Sequence, residues 1–358
     1  LWKSTFFDAS IAMDMFEKLT VKPHLKGPKQ QHYVPNFYLK GFTSDGVLAV
    51  FDRFRGEVRR RQQPQKVATV RHLYTFEDKQ DRKRFDLEVL FGHIEDAAAP
   101  IIRSLANGGR LSAADRESFA LFLGLAAVRT PAAIADARNI FGGFEKARSQ
   151  LLLADENAVF RLLKKMPDAD EDDSVLRKEA QDIAKMAREG SFDVEVDPQY
   201  ALHKSLGVWH IVAEELFKRD WMVLHTTGDD HSFLTSDSPI VLTSLSQSNR
   251  NQPLGYGSPE AQILFPLTSK CALVASGYLG RTGRSDITVD NLRRFNMTIA
   301  SDCQRYVMGG DATLVESITN ELRLAESEWQ PKSTVEVGYQ MNADGTWARG
   351  ALVKRQGA

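Results

Sequence analysis

Cysteine is scarce: Cys271 and Cys303 are the only two in 358 residues. They show no metal-ligand spacing, which argues against a disulfide scaffold or a Cys-rich zinc site, and they read as free buried thiols in a reduced, cytoplasmic setting. No run of ~18 apolar residues occurs, so no transmembrane helix and no membrane partner are expected. The stretch LWKSTFFDASIAMDMFEKL carries acidic residues where a signal peptide would be apolar, which argues against that route of secretion. Charge of one sign is not in excess either. With 46 Lys and Arg against 47 Asp and Glu the formal net charge is -1, so any polyanion binding must come from a local patch. Internal repeats and low-complexity tracts are missing. So are a phosphate-loop glycine pattern, a Gly-x-Ser-x-Gly elbow, a His-Glu-x-x-His pair, and any helix-turn-helix, zinc-finger or RNA-recognition signature.

What remains is an ordinary globular composition, 42% hydrophobic, with material for a large core. At ~150 residues per domain, one or two domains are expected. Residues 1–20 have a rough helical period, and VKPHLKGPKQ, with two prolines and a glycine, reads as a linker. Pro35 suits the first turn of a short helix. VLAVFDRF and EVRRRQ, parted by an Arg-Gly turn, predict a hairpin, and RHLYTF a third short strand. FDLEVLFGHIEDAAAPIIRSL is a helix with Leu87, Leu90, Phe91, Ile94, Ala98, Ile101 and Leu105 on one stripe. A second helix follows over SAADRESFALFLGLAAVRTPAAIADARNIF, capped by Ser112 with Asp115 behind it, apolar all round its middle, and kinked or ended by Pro131. Residues 144–190 read as a charged helical insertion broken by the acidic loop MPDADEDDS. Beyond a helix near QYALHKSLGVWHIVAEELFKR lie the strands WMVLHTT, SFLTS, IVLTS, QILFPLT and CALVAS, the helix VDNLRRFNMTIASD, and a hairpin turning on NADG. This order predicts an α+β fold, an antiparallel sheet of N- and C-terminal strands on a central helical layer. The expected organisation is an extension over 1–29, one domain over 30–310, and a C-terminal extension with the hairpin over 311–358.

Four polar residues stand out as candidates for chemistry. His32 lies in QHYVPNFYLKGF between polar residues and the Val-Pro helix start; exposed, it titrates near neutrality, and buried, it needs partners for its ring nitrogens. Arg129 sits on the apolar stripe of the second helix, where a guanidinium needs a carboxylate or an anionic ligand. Glu88 and Glu95, two helical turns apart, border the apolar stripe beside Phe91 and can serve as acid and base, bind a metal, or simply face solvent. Asp237, in FLTSDSPIVL, either bonds its own turn or presents a carboxylate at a strand end. Glu88, Glu95 and Asp237 together are a weak metal set for a divalent ion such as Mg2+. Arg53, Arg55, Arg59, Arg60 and Arg61 crowd the first hairpin, with Lys66 and Arg71 beyond it. They read either as a phosphate-gripping stripe or as a charged edge guarding against aggregation.

The ordered series QHYVPNFYLKGF, LYTF, LEVLFGHIED, RTP, FLTSDSPIVL, ILFPLT and VDNLRRFN resembles the bacterial domain-of-unknown-function 4238 family over roughly residues 30–310. The resemblance implies no assigned reaction. It groups His32, Glu95, Arg129 and Asp237 as one set. The functional expectation is a nucleic-acid-directed phosphodiesterase, a nuclease of toxin or defence type. In it His32 is the acid or base, Arg129 stabilises phosphate charge, Glu95 and Asp237 orient them or hold metal, and the arginine hairpin holds the backbone. The alternatives are a non-catalytic protein that binds a nucleotide or small anion, and a purely structural polar network.

Overall fold

The computed structural model describes residues 23–166, 172–244 and 254–325 and the strand pair Val335–Met341 and Trp347–Val353. The helix expected over 1–20 and most of the acidic loop after Met166 lie outside the described residues.

In chain order, β1 (Gln30–His32) and α1 (Asn36–Lys40) precede the hairpin β2 (Leu48–Asp52) and β3 (Glu57–Gln62), then β4 (Thr69–Arg71), β5 (Phe76–Glu77) and β6 (Lys83–Arg84). The helices α2 (Asp86–Ala106), α3 (Ala113–Val128), α4 (Pro131–Leu153), α5 (Glu156–Leu163), α6 (Asp173–Glu189), α7 (Pro198–Gly207) and α8 (Trp209–Lys218) follow. The strands β7 (Asp220–Thr226), β8 (Thr235–Ser236), β9 (Val241–Ser244), β10 (Ala261–Thr268), β11 (Cys271–Ser276) and β12 (Thr282–Ile287) lead to α9 (Val289–Ser301), β13 (Tyr306–Gly309), α10 (Ala312–Ala325), β14 (Val335–Met341) and β15 (Trp347–Val353). The fold is α+β, as the pattern predicts.

Contacts divide the chain into two compact units, one of residues 1–134 with 202–332, the other of 135–201 with 333–358. The inserted helical stretch is thus wider than the expected 144–190. The stretch after 310 is also shared out, because α10 lends Val315, Ile318 and Leu322 to a core with Phe51 and Val307 in the first unit.

Within the first unit a five-stranded sheet has the order β12-β7-β11-β10-β9, antiparallel except for the β12–β7 pair. A four-stranded antiparallel sheet has the order β3-β2-β13-β8. The predicted stripe of α2 is buried throughout, and α3 is buried from Phe119 to Ala126. A helix apolar on every side must be surrounded, and α8 packs so close that a Cβ on Gly124 would stand 2.8 Å from the Cβ of Ala213. Ser112 caps α3 in a reciprocal capping box with Asp115. The helix ends at Val128, just before Pro131, which opens the next one, whose first turn is capped by Thr130 Oγ1 accepting from the Ala133 amide at 3.2 Å. In the second unit, α5 and α6 bury Val159, Leu163, Leu176 and Ala180 against each other. The expected closing hairpin forms as the antiparallel pair β14 and β15.

RHLYTF is not a strand. β4 stops at Arg71, and His72 takes a left-handed φ of 56°. The reason is a buried side chain: Gln31 Oε1 accepts the Tyr74 amide at 2.7 Å and Gln31 Nε2 donates to Thr75 Oγ1 at 3.1 Å, which fixes a turn. Two short strands, β12 and β13, have no clear signal in the sequence.

Candidate functional site

β1 pairs antiparallel with β4, placing His32 opposite Thr69, and Tyr33 N then donates to Ala68 O at 3.1 Å. Val34 and Pro35 are buried, and Pro35 stands just before α1 as its cap rather than within its first turn. This leaves the Tyr33 carbonyl free of the strand ladder, and Arg129 takes it. Its Nε donates to Tyr33 O at 3.1 Å, and its Nη1 to Glu95 Oε1 at 2.8 Å. Arg129 follows the last residue of α3 and is 1% exposed, with its guanidinium 5.5 Å from the Phe91 ring centre. The Tyr74 hydroxyl donates to Arg129 O at 2.7 Å, so both ends of the residue are fixed. A buried guanidinium needs such partners. Yet Arg129 Nη2 is buried with no acceptor.

His32 shares this environment. Burial lowers its pKa; Glu95 and the backbone of Pro64 oppose that, while the Arg129 charge adds to it. Its Nε2 is also a buried polar atom without a partner. Glu88 joins from one side. Burial pushes its carboxyl up to about 7, with the Arg129 charge opposing and Glu95 adding repulsion. The result is a neutral-leaning imidazole, a carboxyl that titrates near neutrality, and an arginine held by a second glutamate. Groups with environments this different can move a proton in both directions.

Glu95 and Arg129 are thus paired directly, and His32 and Glu88 lie close enough to feel both charges. Asp237 belongs to a different constellation. Its Oδ1 and Oδ2 accept from the amides of Gln304 and Arg305 at 2.9 and 2.8 Å, and its own amide donates to Tyr306 O at 3.0 Å. It is 4% exposed, and burial pushes its carboxyl up to about 6 against those amide bonds. Instead of closing its own turn it clamps the chain entering β13. Next to it, Arg305 makes a two-pronged contact with the buried Asp52 carboxylate, Nε to Oδ1 at 3.2 Å and Nη2 to Oδ2 at 3.0 Å. Tyr33 touches both constellations, its carbonyl on Arg129 and its ring near Asp237, Tyr306 and Arg305.

Two expectations need correction. Glu88, Glu95 and Asp237 do not form a metal set, since Asp237 is committed to backbone amides and Glu95 to Arg129. Among the described residues, no group of three or more His, Cys, Asp or Glu side chains could hold a metal ion. The arginine hairpin is not a free alternating stripe. A register shift between Leu48 and Val50 and a left-handed Arg61, φ 55°, break the alternation. Arg53 donates to Cys303 O at 3.0 Å, Arg60 pairs with Glu316 at 2.7 Å, Arg59 faces Asp52 at 3.9 Å, and Arg55 lies near Asp52 and Glu57. Tyr33, Tyr74 and Gln31, which shape the site, escaped the sequence reading. Their spacing is unremarkable, and their roles are set by hydrogen bonds to distant segments. The thiols are as expected: Cys271 and Cys303 are free and buried, and burial pushes Cys271 up to about 12.

The fold and site define an α+β protein with a His–Glu–Arg cluster around the buried Arg129, where β1, α2 and the end of α3 meet. Residues 30–313 match the family model described as "Protein of unknown function (DUF4238)", and the chain belongs to that family. No curated protein and no solved structure matches it.

Proposed function

We propose that His32, Glu88, Glu95 and Arg129 are the centre of a hydrolase acting on a phosphodiester of nucleic acid, in the manner of a toxin or defence nuclease. The carrying observation is that His32 Nε2 and Arg129 Nη2, two buried polar atoms without partners, belong to one charged cluster. A phosphate oxygen accepting from Nη2 and an attacking water donating to Nε2 would satisfy both. In this reading neutral His32 takes a proton from the attacking water as its oxygen bonds to phosphorus. Glu88, protonated, gives a proton to the leaving oxygen as the other P–O bond breaks. Arg129 Nη2 donates to a non-bridging oxygen, and Glu95 keeps the guanidinium in place. Two free, buried thiols fit a reduced cytoplasmic setting.

One observation favours a second reading, a structural network: Arg129 already has acceptors for Nε and Nη1. The test is cleavage of labelled single-stranded DNA and RNA by wild type, His32→Ala and Glu88→Gln, with melting temperatures alongside. The proposal expects cleavage by wild type and a ~10²–10⁴-fold loss in each variant at near-native melting temperature. No cleavage by wild type, or equal rates in all three, leaves the structural network as the account.

A further inference from the structure

A second cationic feature lies at the other end of β1. A surface depression of about 370 Å³ is lined by Lys26, Lys29, Arg71, His72 and Lys83, with the Phe85 ring among its walls, and no acidic side chain among the described residues lines it. The segment before β1 is stitched in place: His72 N donates to Lys29 O at 2.9 Å, and Phe85 N donates to His24 O at 2.8 Å. Gly27 lies against Phe85 so closely that a Cβ there would sit 2.5 Å from the ring. The cations are thus mounted on fixed backbone and not on a loose tail.

Their mutual proximity shows in the imidazole they surround. Partial burial, then the charges of Lys83, Arg71 and Lys29, lower the His72 pKa. Two carboxylates lie nearby: Glu77 stands across from Lys83 in the β5–β6 pair without an ion pair to it, and Asp86 is already taken. Asp86 accepts from Arg84 Nε and Nη2 at 2.7 and 2.9 Å and from the His24 amide at 3.3 Å. Among the described residues Lys26, Lys29, Arg71 and Lys83 make no salt bridge. Like charges gathered without a counter-charge repel one another, and an anion relieves that repulsion.

The depression also has a fixed place relative to the His32 centre. Arg71 pairs with Gln30 and Thr69 with His32 in the β1–β4 ladder, so one short strand joins the two. From Lys29 to His32 the chain covers roughly 10 Å at strand rise, a short reach for a nucleic-acid strand. We infer that Lys26, Lys29, Arg71 and Lys83 form a phosphate-backbone subsite that holds a single nucleic-acid strand beside the His32 centre. This assignment rests on the nucleic-acid reading above for its substrate. It moves the grip on the strand from the arginine hairpin, where Arg53 and Arg60 are engaged, to the depression.

The test is fluorescence anisotropy of a labelled oligothymidylate over a salt series, with wild type and the triple variant Lys29→Ala/Arg71→Ala/Lys83→Ala. All three replaced side chains are exposed. Removing three phosphate contacts should lower the slope of log affinity against log salt by about 2, independently of base sequence. An unchanged slope and affinity in the triple variant overturns the subsite. So does binding of inorganic pyrophosphate that the triple variant loses while the oligonucleotide fails to bind wild type. A cleavage assay separates the two claims. Salt-sensitive binding through these cations without cleavage keeps the subsite and removes the hydrolase. Equal cleavage by wild type and triple variant keeps the hydrolase and removes the subsite.

Discussion

Among the described residues of the first unit three arginines are buried, and they are satisfied in different ways. Arg219 donates to the carbonyls of Ala261, Tyr256 and Ser258 and to the Tyr278 hydroxyl. Arg116 reaches the carbonyls of Phe217 and Arg219, and Thr282. Arg129 alone of the three faces a carboxylate, Glu95, which is 23% exposed. Arg129→Ala should therefore destabilise the protein by about 3 kcal/mol in urea unfolding, the low end for a broken buried pair, because Glu95 keeps a face to water. Glu95→Gln keeps an acceptor for Nη1 and should cost less, ~1–2 kcal/mol. If the proposed hydrolysis holds, cleavage should follow a bell-shaped pH profile. The base limb falls as pH drops through the lowered pKa of His32, and the acid limb falls as pH rises through about 7, where Glu88 loses its proton. Glu88→Gln should abolish the alkaline limb along with the activity. His32, Glu95 and Arg129 were legible in the sequence because each is a polar group in apolar surroundings that demands a partner. Asp237 was equally conspicuous, but what it bonds, the amides of Gln304 and Arg305, lies 67 and 68 residues away.

At the scale of elements, periodicity carried the long helices. The stripe of α2 and the all-round apolarity of α3 need only a partner surface, and any partner gives the same buried set. The close approach of α3 and α8 is set at Gly124, whose missing Cβ leaves room for Ala213 Cβ and Trp209 O, each 2.8 Å from the place it would occupy. Gly124→Ala should thus cost ~1–3 kcal/mol by overpacking, although alanine is the better helix former, and thermal unfolding checks the sign. Short strands were harder to read. β12, TGRSDI, is polar and mostly exposed at a sheet edge, and β13 is four residues long. Their pairing comes from neighbours, β7 for one and β2 with β8 for the other, so no local pattern announces them. The misread RHLYTF has strand-like residues, but the buried side chain of Gln31 imposes a turn.

For the molecule as a whole, titration of buried groups acts in two directions. His32 and His225 have lowered pKa values with burial as the main cause, so their contribution is present above the free-histidine value and is lost as pH falls through the folded one. Glu88 and Asp237 are raised, to about 7 and about 6, so theirs is present below the free-carboxyl value and is lost as pH rises through those points. The opposing pairs flatten the stability profile between them. Glu88→Gln removes one member. Its stability relative to wild type should increase from near pH 4.5 up to about 7 and then level off, by ~1–3 kcal/mol in all. Urea midpoints of the two proteins across that range check it, and a difference that stays constant or falls with pH contradicts the burial of Glu88.

The sequence by itself determined the helix faces, the major strands, the buried unreactive thiols and the family. These depend on local period, composition and motif order, which survive without knowledge of what packs where. Only the tertiary structure decided that the Tyr33 carbonyl and Glu95 share Arg129, that Asp237 clamps the chain before β13, and that Lys29, Arg71 and Lys83 face one depression. Hydrogen bonds and charge clusters form between segments far apart in the chain, so their partners are fixed by the fold and not by spacing along the chain.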